Sequence, residues 1–145
     1  MAKTWSVMYG LIWATFFQIF LIVFLLSVAV SGFWYDATIG FHVLLGILVI
    51  ALGNFSFRLV RRTTCPERIR RIAKTTAILS IVQGILGLVL YALITYNASS
   101  ALLDFVLLLH IVTALAIIAQ ASSSATAFDM WEEKEFLAPN TAPLA

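Results

Sequence analysis

Four long apolar stretches, residues 5–30, 38–57, 75–96 and 102–128, alternate along the chain with short polar segments. Each is close to or above the roughly 20 residues that an α-helix needs to cross about 30 Å of hydrocarbon. Lipid offers no water to backbone N–H and C=O groups, so a single apolar span must satisfy them internally as a helix. The pattern predicts an all-α integral membrane protein, a four-helix transmembrane bundle over residues 1–130 with a short acidic C-terminal tail over 131–145. The first stretch reads as a retained helix. It is longer than the 7–15-residue core of a signal peptide, and only Lys3 supplies positive charge before it.

Composition strengthens the membrane reading. The chain has 62% hydrophobic residues, 11% charged residues and a mean hydropathy of +1.02, a profile far from that of the average soluble domain. Charge then sets the orientation. Arg58, Arg61, Arg62, Arg68, Arg70, Arg71 and Lys74 fall between the second and third stretches, and Lys3 and Lys134 lie near the termini. The opposite connections, read as residues 31–37 and 97–101, contain no Lys or Arg. The positive-inside rule puts both termini and the basic loop in the cytoplasm, in a multi-pass protein of the cell membrane. Trp34, Tyr35, Tyr91 and Tyr96 then fall near the outer interface. The basic loop invites a nucleic-acid or anionic-lipid reading; it is read as a topology signal whose side chains snorkel to the headgroups, with no nucleic-acid partner. Cys65 is the only cysteine, so no disulfide forms within one chain.

The candidate chemistry lies inside the spans. His42 and His110 are the only histidines and belong to the second and fourth stretches. An imidazole at membrane depth usually faces a bundle interior, where it pairs, titrates or binds a metal. With these boundaries they sit roughly 6 and 12 Å below the outer ends of their helices. His42, Gly46, Val49 and Gly53 form one helical stripe, and His110, Ala114, Ile117 and Ala121 form another. Small residues beside a ligating histidine leave space for a flat ring, and they also suit close helix packing. On the third helix Gln83, Gly87 and Tyr91 share a face. Gln83 needs an interhelical partner, for which Gln18 and Gln120 are the candidates. One economical arrangement of the two histidines is a haem b iron held from both sides.

His42 followed by Val-Leu-Leu-Gly, Gln83-Gly84-Ile85-Leu86-Gly87, and His110 with Ala114 together resemble the heme A synthase family. The resemblance spans nearly the whole membrane portion and matches one four-helix half-unit, with a histidine on its second and on its fourth helix. It implies His42 and His110 as haem-iron ligands, with Gly46, Gly87 and Ala114 around the cofactor. It also brings haem A and its farnesylated precursor into consideration. Two family features are missing. The glutamate one turn before the second-helix histidine is replaced by Ile39, and the outer cysteine pair is absent. Asp36, read as a loop residue, is the nearest carboxylate and a weak catalytic candidate.

Three readings stay open at this point. The first is a haem protein serving electron transfer or, as an oxidoreductase, haem modification. The second is a non-haem accessory subunit of a respiratory or other membrane complex. The third is a transporter or proton-conducting element using His42, Asp104 and His110. Besides the bilayer, a homo-oligomer or a larger membrane complex is the partner class each reading allows.

Overall fold

The structure, a computed structural model, describes residues 2–28 and 33–137. The described residues form four helices: α1 (Ala2–Val28), α2 (Phe33–Val60), α3 (Glu67–Thr95) and α4 (Ser100–Leu137). Each is long and apolar enough to cross a membrane. Residues 29–32, the side chain of Trp34, and Pro139 and Pro143 of the tail lie outside the described part.

Three boundaries differ from the hydropathy pattern. α3 begins at Glu67, so Arg68, Arg70, Arg71 and Lys74 of the predicted basic loop lie on its first turns. α2 begins at Phe33, so residues 33–37 are helix and Asp36 sits in its first turn. A carboxylate there is favourable, because the first-turn N–H groups carry partial positive charge. α4 continues without a break from its apolar part through the acidic segment to Leu137. Glu and Lys are good helix formers and favour continuation over a stop.

The connections have local causes. Asn97 adopts φ 50° just after α3, a conformation Asn tolerates better than most residues. The Ala98 N–H reaches Leu93 O at 3.0 Å and the Asn97 N–H reaches Ile94 O at 3.3 Å, the hydrogen-bond pair of a Schellman ending. Between α2 and α3, Thr63 donates its hydroxyl to Val60 O at 2.7 Å, and Pro66 precedes the first residue of α3. Cys65 is fully buried in this turn.

Short connections make sequence neighbours antiparallel. α1 packs on α2 and α4, and α3 packs on the same two, so α1–α3 and α2–α4 are the diagonals of the bundle. At the basic end Met8, Val60, Cys65, Ile69, Ala73, Ala125 and Phe128 form one apolar cluster. Above it Leu11, Ala14, Val49, Ile117 and Ala121 form a second. Large apolar side chains such as Trp13, Phe17, Leu44, Leu88 and Leu108 point outward. Small and hydroxyl-bearing residues point inward, as expected where lipid is as apolar as leucine and close backbone approach drives association. Gly53 marks a close approach of α2 to α3: a Cβ there would lie 2.9 Å from Ser80 Oγ and 3.7 Å from Ala77 Cα.

The interior repeats itself. Thr4, Met8, Leu11, Thr15 and Gln18 are buried on α1, and Ile69, Ala73, Thr76, Ser80 and Gln83, each 65 positions later, are buried on α3. Val49, Gly53, Ser56 and Val60 on α2 correspond likewise to Ile117, Ala121, Ser124 and Phe128 on α4, each 68 positions later. The hairpins α1–α2 and α3–α4 therefore present the same inward register.

Candidate histidine–glutamine site

Each helix contributes one polar side chain to a common level above the second apolar cluster: Gln18, His42, Gln83 and His110. His42 lies nine residues past the start of α2 at Phe33, and His110 ten past the start of α4 at Ser100. At 1.5 Å per residue these are roughly 14 and 15 Å along their helices. The unequal depths expected from the hydropathy boundaries arose from starting α2 too late. His42 and His110 come from diagonal helices and meet across the bundle, with ring centres 6.3 Å apart and planes at 52°.

The amides answer a question the sequence leaves open. Gln83 Nε2 lies 3.1 Å from His110 Nε2, and Gln18 Nε2 lies 3.5 Å from His42 Nε2. The glutamines thus face histidines and not each other, and Gln120 takes no part. Each pair joins the first helix of a hairpin to the second, so the site follows the same internal repeat as the interior. Gln18 is the residue sequence reasoning undervalued. Its signal was the 65-position offset from Gln83, which no local motif reveals.

Both Nδ1 atoms, and Gln83 Oε1, are buried without a hydrogen-bond partner. Buried polar atoms are normally paired. A 180° turn of the Gln83 amide brings Oε1 to the ring, where it accepts an Nε2–H. A neutral imidazole with its proton on Nε2 keeps a lone pair on Nδ1. That arrangement, one ring nitrogen anchored by a neighbour and the other free, is common at metal-ligating histidines.

The smaller residues lie beside these groups. A Cβ on Gly46 would lie 3.2 Å from Gln18 Nε2, and one on Gly87 would lie 3.4 Å from His110 Cε1. Ala114 is buried one turn below His110. Val49 and Gly53, and Ile117 and Ala121, continue both stripes inward as the spacing predicts. Tyr91 departs from the expected shared face: it is 68% exposed, because two successive i+4 steps drift about 80° from the starting direction on a 3.6-residue helix.

The carboxylates stand apart. Asp36 is exposed, and six residues of helix turn it about 120° away from His42. Asp104 is exposed in the same relation to His110. Half-buried Ile39 occupies the turn before His42. Among the described residues no three His, Cys, Asp or Glu side chains gather into a metal-binding group. The donor set at this level among the described residues is a pair of imidazoles, fewer than the four ligands of a zinc site built from side chains alone. A metal that brings its own in-plane donors needs only such a pair. Neither the buried cavity near Met8 nor the groove near Arg68 touches either histidine.

Comparison with protein-family models, curated proteins and solved structures finds no match for this chain.

Proposed function

We propose that this chain is a haem-binding membrane protein resembling one half of heme A synthase, with haem b held between His42 and His110 for electron transfer. The observation that carries the reading is the 6.3 Å separation of two imidazole centres across the bundle diagonal. Metal–imidazole bonds of roughly 2 Å put two opposed ligating nitrogens about 4 Å apart and their ring centres about 6 Å apart. The unpartnered Nδ1 atoms, the glutamine behind each ring and the bare backbones of Gly46 and Gly87 suit the same ligand. Bound there, haem b would supply reversible one-electron chemistry. The chain's own part is to hold both rings, anchor them through Gln18 and Gln83, and exclude water with the apolar wall.

The charge pattern supports cytoplasmic termini and a cell-membrane location, with the histidines in the outer half. Ile39 in place of a carboxylate, and Asp36 turned outward, argue for electron transfer over haem oxygenation. A homo-oligomer or a larger membrane complex would supply the redox partner.

A second reading has its own observation. Each histidine already has a glutamine within 3.5 Å, so the four side chains also serve as interhelical polar glue in a non-haem accessory subunit. An absorption spectrum separates the two. The haem reading expects purified protein, or protein reconstituted with haem b, to show low-spin bis-histidine bands that disappear in His42→Ala and in His110→Ala. Intact low-spin bands in both single variants, or no haem uptake by the wild type, overturn it.

A further inference from the structure

We propose that the groove between α3 and α4 at the basic end binds one anionic phospholipid, with Arg68 and Arg71 holding its phosphodiester. The groove has a volume of about 350 Å³ and is lined by Arg68, Arg71, Ile72, Thr75, Gln120 and Ser123. Both arginines are exposed, and neither is in an ion pair among the described residues; Glu67 is turned to Arg70 at 3.5 Å. Planar guanidinium groups match phosphate oxygens in a two-pronged geometry.

The groove also has the vertical profile of a lipid. From Arg68 to Thr75 it descends about 10 Å along α3, from the charged end of the helix into its apolar span. Gln120 lies at the lower part, with its Oε1 buried and unpartnered. Its carboxamide is free to turn an N–H toward a glycerol-ester carbonyl. Exposed Ile78 continues the apolar surface below, where an acyl chain would lie. Basic pockets between transmembrane helices at headgroup level are suited to anionic lipid headgroups.

The internal repeat provides a comparison within the same molecule. Thr75 corresponds to Gly10, Gln120 to Leu52 and Ser123 to Phe55. In the α1–α2 hairpin Leu52 lies over Gly10, 3.8 Å from the position of an added Cβ. A hairpin of this register therefore tolerates Leu52 and Phe55 where α4 carries Gln120 and Ser123. The Thr75 and Ser123 hydroxyls donate to Arg71 O and Ala119 O of their own helices, so the arginines and the unpartnered Gln120 Oε1 are the groups the ligand would meet.

The test is native mass spectrometry and lipid titration of the purified full-length protein with dioleoylphosphatidylglycerol and dioleoylphosphatidylcholine. One phosphatidylglycerol should be retained per chain in preference to phosphatidylcholine. Arg68→Gln/Arg71→Gln should weaken that binding about thirty-fold. Ser123→Phe should also weaken it by filling the groove at constant charge. Arg58→Gln/Arg62→Gln, which removes the same charge outside the groove, should leave it intact. Equal retention of the two lipids, or equal losses in the two double variants, overturns the proposal in favour of diffuse charge attraction. Calorimetric binding of inorganic phosphate that depends on Arg68 and Arg71, without a lipid preference, would assign the arginines to a free anion and also overturn it. Circular dichroism of each variant establishes that the helices are retained.

Discussion

Replacing Gln83 by leucine separates a haem site from mere interhelical glue, because the two readings predict different magnitudes in different measurements. Gln83 lies 3.1 Å from His110 Nε2, while Gln18 lies 3.5 Å from His42 Nε2, at the margin of hydrogen bonding. Interhelical hydrogen bonds in membranes contribute about 0.6 kcal/mol on average and about 1.7 kcal/mol at most. His110 Nδ1 has no partner, so Gln83→Leu leaves the whole ring without one. A buried polar group left unpaired costs about 1–3 kcal/mol. Glue alone therefore predicts a stability loss of that size for Gln83→Leu, a smaller one for Gln18→Leu, and no spectroscopic consequence. The haem reading adds a loss of about 10–100-fold in cofactor affinity, the usual effect of removing the group that orients a metal-binding histidine. Titrating apoprotein with haem b in detergent, following the Soret band, measures the affinity, and unfolding in mixed micelles measures the stability. Gln83→Leu should exceed Gln18→Leu in both. An unchanged haem affinity in Gln83→Leu, or a larger loss in Gln18→Leu, would refute the assignment of Gln83 as the anchor of a ligating ring.

Gly53→Ala should destabilise the bundle by about 1–3 kcal/mol through overpacking, since its Cβ would meet Ser80 Oγ at 2.9 Å; unfolding titrations should show partial recovery in Gly53→Ala/Ser80→Ala. Gly46→Ala meets only the movable end of Gln18, so it should retain stability better while shifting the haem spectrum. A cysteine at Ser99 should react with an impermeant thiol reagent in intact cells, and labelling only after lysis would reverse the topology; buried Cys65 should stay unlabelled in the folded protein. Expression with the farnesylated haem precursor, followed by chromatography of extracted haems, should yield no formyl product, and its appearance would establish haem oxygenation. If that product is lost in Asp36→Asn, the exposed carboxylate at the start of α2 is the missing acid.

The number of spans, their helical nature and the clustering of positive charge at one end are readable along the chain. Each depends on local sums: apolar length against bilayer thickness, and Lys/Arg count per connection. The two stripes below His42 and His110 are also legible, since a 3.6-residue period relates positions within one helix. Periodicity carries no information about which helices stand diagonal to one another. The meeting of His42 with His110, the turning of Gln18 and Gln83 toward them, and the close approach at Gly53 arise from packing between helices. The inward repeat at offsets of 65 and 68 positions was hidden for a related reason. Packing conserves which face is buried and how much room it has, while residue identities differ between the hairpins, as at Leu11 and Thr76 or Val60 and Phe128. The early start of α2 escaped hydropathy because Asp36 reads as a loop residue by polarity, whereas at a helix N-terminus its charge is stabilising. That boundary sets the level of His42, and with it the geometry of the site.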